Sequence, residues 1–148
     1  MKKNLIKNIL LILFIFTTNV SSKETNYLIK GIEHFKNKEF EKSKIFFERD
    51  LVFNPKSEKS YLYLAKIFKK KENTEEEEMN LKNVLLLNPQ NDEAIYMLTL
   101  IKIEQSDYNE AENLINTFTL VCKSFCSKKK EIESKFKKLN PENAKNNN

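Results

Sequence analysis

Glycine is almost absent from this chain: its 148 residues include one glycine, three prolines and no tryptophan. Folds built from strands and tight turns depend on glycine at positions with positive φ, so a single glycine argues against a β-rich fold. Lysine, glutamate, leucine, isoleucine and asparagine dominate instead, a mixture typical of amphipathic helices. The length suits one domain. The composition therefore predicts a single all-α domain.

Side chains suited to catalysis are equally scarce. The chain has one histidine, His34, and helical periodicity places it on a packing face. One glycine cannot build a glycine-rich phosphate loop, and no histidines or cysteines have the spacing of metal ligands. No Ser–His–Asp set can be assembled around a plausible pocket. We therefore expect a protein that is not an enzyme and that binds no metal or cofactor.

The positive charge is smaller than the total suggests. The chain carries 26 basic and 21 acidic residues, but Lys2, Lys3 and Lys7 lie in a leading segment. Without them, the chain has 23 basic and 21 acidic residues, a net charge of +2. A nearly balanced surface attracts phosphates weakly, so we expect no nucleic-acid partner. We interpret one C-terminal basic cluster as a solvated helix face rather than an anion site: Lys128, Lys129, Lys130, Lys135, Lys137 and Lys138.

Residues 1–22 have the three parts of a signal peptide. Lysines open the segment, Ile9 to Phe16 form an uninterrupted apolar run of eight residues, and a short polar stretch ends at Ser22. The run is too short for a membrane-spanning helix, which needs about 20 residues. We predict cleavage after Ser22 and export of residues 23–148, either to a periplasm or out of the cell. The alternative is an uncleaved leader that anchors the protein to the membrane.

The two cysteines, Cys122 and Cys126, are four residues apart, which places both on one face of a helix. A disulfide between them is compatible with export, although so short a loop would constrain the unfolded chain little. The alternative, slightly favoured here, is a pair of small buried apolar residues at the end of a helix.

A constant interval organises the rest of the chain. The dipeptide Asn54-Pro55 recurs as Asn88-Pro89, and we call the distance between these two prolines the repeat interval. When the sequence is aligned with itself after a shift by this interval, large apolar residues mostly align with large apolar residues, as at Phe47, Leu81 and Ile115. Small residues often align with small residues. An interval of about 34 residues, the distance from Pro55 to Pro89, is typical of stacked helix pairs.

The recurring positions can be compared with a known repeat pattern, W-x₂-L-G-x₂-Y, then A-x₃-F, then P. The second repeat has Tyr61, Leu64, Ala65, Phe68, Glu77, Leu81 and Pro89 at these places. The third has Ile95, Leu98, Thr99, Ala111 and Ile115, and the first has Tyr27, Gly31, Ser43, Phe47 and Pro55. On these residues, the chain resembles the tetratricopeptide repeat family from residue 24 to about residue 123. Glu77 departs from the family's small residue, so we expect the second helix pair to be looser.

The resemblance implies an all-α, right-handed superhelical solenoid of three helix hairpins, closed by a C-terminal capping helix. We place the repeats near 24–57, 58–91 and 92–125, the capping helix at 127–139 and a disordered polar tail at 140–148. Helices are expected near 24–36, 40–53, 57–70, 74–87, 91–104, 108–122 and 127–139. Thr74 and Glu77 have the spacing of a capping box at the start of the fourth helix.

The resemblance also implies where a ligand would bind. In the family, the face of each first helix opposite its packing stripe lines a concave groove. Here that face is largely apolar, which suits a helix or an extended peptide with apolar anchors. The groove residues are Leu28, Ile32, Phe35, Leu62, Tyr63, Lys66, Lys69, Tyr96, Met97, Leu100 and Ile103. The alternative is that the groove is filled by the seventh helix, by a second copy of the chain or by the residues before Tyr27.

We therefore expect a protein–protein interaction scaffold or assembly factor of the cell envelope, which binds another protein or a peptide. A self-associating structural subunit is one alternative, and a homo-oligomer remains compatible with the sequence. The other is a membrane-tethered repeat module, which requires the leader to be retained.

Overall fold

The computed structural model describes residues 25–140. The predicted signal peptide and residues 141–148 of the predicted tail lie outside this range. Seven α-helices follow one another in the described part: α1 Asn26–Lys36, α2 Phe40–Phe53, α3 Glu58–Lys70, α4 Thr74–Leu87, α5 Asp92–Glu104, α6 Tyr108–Val121 and α7 Lys129–Leu139, with a short 3₁₀ turn at Cys126–Lys128 before α7. Each predicted helix is present, with its ends within two residues of the expected positions.

The helices pack in consecutive antiparallel pairs. α1 packs on α2, α3 on α4 and α5 on α6, and each pair also contacts the next through the helix that follows it in the chain. α7 packs on both α5 and α6. No strand occurs between residues 25 and 140. The chain is therefore an all-α solenoid of three helix pairs closed by a seventh helix, as the constant repeat interval predicts.

Small residues sit where the first helix of each pair meets the second. A Cβ atom added to Gly31 would lie 2.6 Å from the ring of Phe47, so only glycine fits this contact. The hydroxyl of Ser43 donates a hydrogen bond to the carbonyl oxygen of Gly31 across the same contact (2.8 Å). Ala65 and Thr99, one and two repeat intervals later, are fully buried. The single glycine of the chain therefore serves close helix packing rather than a turn.

The three turns within the pairs share one backbone geometry. Lys38, Glu72 and Ser106, each one repeat interval after the last, have φ values of 61°, 56° and 62°. In each turn, the N–H of the following residue donates a hydrogen bond to a carbonyl oxygen in the last turn of the preceding helix, as from Glu39 to His34 (2.9 Å). This is the Schellman ending, in which a residue in the left-handed region terminates the helix. Three non-glycine residues therefore adopt a conformation that usually favours glycine.

Carboxylates join consecutive pairs. Asp50 at the end of α2 is fully buried and accepts a hydrogen bond from the hydroxyl of Ser60 in α3 (2.5 Å). Glu58 at the start of α3 accepts hydrogen bonds from the amides of Asn88 (3.0 Å) and Asn91 (2.5 Å), which flank the turn between α4 and α5. Directional bonds as well as apolar contacts therefore fix how one pair stacks on the next.

Two apolar clusters form the core. The first lies between α1, α2 and α3 and contains buried Leu28, Phe47, Leu64 and Ile67. The second is larger and extends from α3 to α7, with Phe118 and Ile132 fully buried in it. α7 thus contributes a core residue of its own, and it covers the last repeat as a capping helix does.

Residues 122–128 connect α6 to α7, and we call this segment, which a disulfide and three hydrogen bonds hold in place, the braced turn. Cys122 and Cys126 form a disulfide, with their Cα atoms 5.2 Å apart. The preferred expectation of two buried thiols is wrong, because Cys122 is only partly buried and Cys126 is exposed. The carboxylate of Asp92 accepts hydrogen bonds from three successive backbone N–H groups, those of Lys123, Ser124 and Phe125, at 2.6–2.9 Å. Burial alone would raise the pKa of Asp92, but these bonds lower it.

The end of α7 also differs from expectation. We predicted that the disordered tail begins at residue 140, but Asn140 is buried and its N–H donates to the carbonyl oxygen of Phe136 (2.9 Å). The hydroxyl of Tyr108 donates to the carbonyl oxygen of Leu139 (2.7 Å). The C-terminal end of α7 is therefore attached to the start of α6.

Candidate functional site

A cleft of about 230 Å³ opens where α3 ends, α4 begins and the second half of α5 passes both. We call it the Glu77 cleft. Seven residues line it: Lys69, Glu72, Thr74, Glu77, Leu100, Ile101 and Glu104. It therefore lies along the edge of the solenoid where the turns within the pairs are found.

The most unusual group in the Glu77 cleft is the carboxylate after which it is named. Glu77 is 5% exposed, and its Oε1 atom has no hydrogen-bond partner among residues 25–140. The nearest cation is the ammonium group of Lys69, 3.9 Å from Oε1, which is too far for a hydrogen bond. Burial raises the pKa of Glu77, and Glu104 adds to this while Lys69 opposes it. The buried Oε1 atom of this carboxylate thus has a charged neighbour but no hydrogen bond.

The walls of the cleft combine apolar surface with excess negative charge. Leu100 and Ile101 are buried beneath it and provide apolar contact. Glu104 forms an ion pair with Lys135 of α7 (2.6 Å). Glu72 is exposed at the turn. The cleft therefore has three carboxylates and one ammonium group, and its chemistry favours a cation over an anion.

Removing the charge of Glu77 should stabilise the protein. The unfolded chain ionises Glu77 near pH 4.5, whereas burial raises the pKa of Glu77 in the folded chain. The contribution of Glu77 to stability is therefore fully present below pH 4.5 and is lost as the pH rises from there through the raised pKa. We expect Glu77→Gln to increase the free energy of unfolding at pH 7 by about 1 kcal/mol or more. Urea denaturation followed by circular dichroism at two pH values measures this, and the gain should vanish near about pH 3.

Glu75→Gln is the matched control, since Glu75 is an exposed residue in the first turn of the same helix. Its effect should stay within about 0.5 kcal/mol. A destabilised Glu77→Gln protein would show that the carboxylate has a partner that the structure does not reveal.

Beside the cleft, Glu78 lies in a satisfied network. Its carboxylate oxygens contact the ammonium groups of Lys102 (2.6 Å) and Lys82 (2.7 Å) and the amide of Gln105 (2.8 Å). Burial alone would raise the pKa of Glu78, but these three hydrogen bonds lower it to about 2. Glu77 and Glu78 are neighbours in the sequence, and the structure places them in opposite electrostatic situations.

The Glu78 network predicts acid sensitivity. Below pH 4.5 the unfolded chain takes up a proton at Glu78, whereas the folded chain keeps the carboxylate charged until about pH 2. The stabilisation is therefore complete above pH 4.5 and is lost between pH 4.5 and about 2. Urea denaturation in this range should show a steeper loss for the unmodified protein than for Glu78→Gln. Parallel curves for the two proteins would contradict the prediction.

The structure places the eleven predicted groove residues in different environments. Five are buried: Leu28, Tyr96, Met97, Leu100 and Ile103. Five are partly buried: Ile32, Phe35, Leu62, Tyr63 and Lys66. Lys69 is exposed, and of the eleven only Lys69 and Leu100 line the Glu77 cleft. A role in binding for these residues stays a prediction; the structure shows that the side chains of five of them are already packed inside the protein.

The physical reason differs between repeats. In the third repeat, α7 covers α5: the hydroxyl of Tyr96 donates to Glu131 (2.6 Å), and its ring lies 5.9 Å from that of Phe125. Burial and the bond to Glu131 raise the pKa of Tyr96 to about 12. In the first repeat, Leu28 belongs to the core cluster with Phe47. The alternative in which the seventh helix fills the groove therefore applies to the third repeat.

Lys66 is engaged as well. Its ammonium group forms an ion pair with Glu93 (2.8 Å) and lies 5.0 Å from the ring centroid of Tyr63. It therefore links α3 to α5 instead of standing free for a ligand.

Sequence reasoning missed most of the Glu77 cleft. It assigned Thr74 and Glu77 to a capping box, but the N-cap of α4 is Asn73, whose side-chain oxygen accepts from the N–H of Glu76 (3.2 Å). It also expected a looser second pair, whereas α3 and α4 pack closely along their length. The one available signal was the large acidic residue at a position where the repeat pattern has a small one.

Two further features of residues 25–140 bear on the site. They contain no group of three or more histidine, cysteine, aspartate or glutamate side chains arranged to hold a metal ion. No helix among them has the length and apolar character needed to cross a membrane.

The fold has counterparts among solved structures, although no protein-family model and no curated protein matches the sequence. In all, 29 chains of solved structures match. One belongs to a structure titled CopN-Scc3 complex and has a TM-score of 0.62 at 17% sequence identity. The match covers 73% of the present chain and 65% of that chain, so it spans less than two thirds of the other protein's length. This similarity supports the all-α helical-repeat fold.

Proposed function

We propose that the protein is a protein–protein interaction module of the tetratricopeptide type, a scaffold or assembly factor that binds its partner at the Glu77 cleft. The observation that carries the proposal is the cleft itself, which combines an apolar floor with an unsatisfied carboxylate. A cleft of this kind contributes binding free energy when a complementary group fills it. The similarity to a chain from a protein complex is compatible with this proposal.

We further propose that the module works outside the cytoplasm, in a periplasm or secreted. The leading segment supports export, because its basic start, apolar run and short polar end match a signal peptide. The disulfide between Cys122 and Cys126 also supports it, since such bonds persist in oxidising compartments. On these two observations we propose a role in the cell envelope.

The proposal describes a binding protein and not an enzyme. The support is the chemistry of the cleft, which offers carboxylates, one ammonium group and one hydroxyl. His34, the one histidine, lies elsewhere, with its ring stacked on Phe46 and its Nδ1 atom 2.6 Å from Glu39. No nucleophile paired with a base faces the cleft among the described residues.

Self-association is the second candidate function. It rests on exposed aliphatic side chains that recur at the repeat interval, Val52, Leu86 and Leu120, which are 74%, 81% and 85% exposed. They lie near the ends of α2, α4 and α6, away from the Glu77 cleft. Membrane tethering through a retained leader remains the third candidate.

Site-specific photo-cross-linking in intact cells tests the proposal. A photoreactive residue at Lys69 should give a discrete adduct with another protein, and the same residue at Leu86 should not. Adducts of twice the protein's own mass, formed from Leu86 alone, would instead favour self-association. The absence of any adduct from Lys69, or purified protein that turns over a substrate, would contradict the proposal.

A further inference from the structure

We propose that the Glu77 cleft receives a cationic side chain, arginine or lysine, from the bound protein. This inference rests on the proposed function and specifies the chemistry by which the partner is recognised. It starts from the Oε1 atom of Glu77, a buried acceptor without a hydrogen-bond partner among residues 25–140. A native fold retains few such groups, and each calls for an explanation.

The electrostatics of the cleft select the sign of the ligand. Glu72, Glu77 and Glu104 face one ammonium group, that of Lys69, and Glu104 already pairs with Lys135. An anion would meet repulsion, and a neutral donor would leave the excess charge in place. A cation can supply the hydrogen bond that Oε1 lacks and also compensate the negative charge of the cleft.

Lys69 shows how such a cation would be accommodated. Its ammonium group lies 3.9 Å from Oε1 of Glu77, close enough to shield the carboxylate but too far to bond with it. The Lys69 side chain is 48% exposed and belongs to the last turn of α3. A long, half-exposed side chain can swing into solvent at little cost, which leaves its place to the partner's cation.

The apolar part of the cleft favours a side chain over a free ion. Leu100 and Ile101 are buried beneath the opening, alongside the carboxylates. Arginine and lysine carry their charge on an apolar stem, which can lie on such surface while the head reaches an acidic group. Arginine can also form two parallel hydrogen bonds with one carboxylate. The cleft therefore matches the two ends of these side chains.

A peptide titration of the purified full-length chain, followed by backbone amide NMR shifts, tests the inference. The probes are acetyl-Leu-Arg-Leu-amide, its lysine counterpart and its norleucine counterpart, which keeps the stem but lacks the charge. We expect saturable shifts at Thr74, Glu77, Leu100 and Ile101 with the two cationic peptides, and none with the norleucine peptide. The ratio of the two cationic affinities shows whether guanidinium or ammonium is preferred.

Two substitutions should have opposite effects. Glu77→Gln should weaken binding of the cationic peptides by about tenfold or more, because it removes the charge that pairs with them. Lys69→Ala should strengthen binding, because it removes the competing ammonium group. Glu75→Gln, the same charge change in the first turn of the same helix, should leave binding unchanged. A purely structural role for Glu77 would not produce effects of opposite sign.

Three outcomes would overturn the inference: equal binding of the norleucine peptide, unchanged affinity in Glu77→Gln, or no shift at the cleft with any peptide. None of these outcomes would contradict the proposed function if cross-linking from Lys69 still captures a protein. The inference and the function on which it rests can therefore fail separately.

Discussion

Phe47→Ala should lower the free energy of unfolding by about 3–5 kcal/mol, the cost of truncating a fully buried aromatic side chain. Phe47 is 0% exposed, its ring meets Gly31, and it stacks on Tyr63 at a centroid distance of 5.0 Å. It therefore joins the first helix pair to the second. Denaturant unfolding followed by circular dichroism in the far ultraviolet, compared with the unmodified protein, measures the change.

Phe53→Ala is the matched control, because it makes the same truncation near the end of the same helix. Phe53 is 69% exposed, and its aromatic contact is with Tyr27 at 5.5 Å. We expect a change of about 1 kcal/mol or less. Equal destabilisation by the two substitutions would mean that Phe47 is not the buried contact between pairs that the structure shows.

Ile132→Asp should detach α7 and destabilise the third pair by at least about 3 kcal/mol, because it removes a large apolar side chain and places a carboxylate in an apolar environment. Ile132 is 0% exposed and belongs to the cluster that contains Tyr96, Leu100 and Phe118. Hydrogen exchange should then show faster exchange in α5 and α6, with α1 and α2 least affected.

Ser134→Asp separates this effect from a loss of helix propensity. Ser134 is an exposed residue of the same helix, and aspartate there adds the same charge without burying it. Its effect should stay within about 0.5 kcal/mol. If Ile132→Asp matched this control, α7 would not be part of the core.

The sequence predicted the fold well because repetition leaves little freedom. Each pair must bury one face against its neighbours, so apolar and small residues recur at fixed places. Phe47, Leu81 and Ile115 share one such place, and all three are buried. Proline after α2 and α4, and Asp107 before α6, mark helix ends that the structure reproduces. The pattern therefore predicted which helices form and how they pair.

The site could not be predicted equally well, because it depends on contacts between segments that the repeat interval does not relate. Whether Tyr96 is open or covered depends on α7, a helix outside the repeats that carries Glu131 and Ile132. The unsatisfied state of Glu77 depends on the placement of Lys69, which its position in the last turn of α3 does not specify. The choice of Asn73 over Thr74 as N-cap depends on a difference of one residue, within the usual uncertainty of helix ends.

In the described part of the chain, α7 takes the place that the first helix of a further pair would occupy. Stacked helix pairs have no inherent stopping point, since the last pair offers a neighbour the same face that it received from the previous one. α7 occupies that face. The hydrogen bonds from the braced turn to Asp92 fix the segment that leads into α7. A second copy of the chain that stacked on the outer face of the third pair would therefore have to displace α7 from the same contacts.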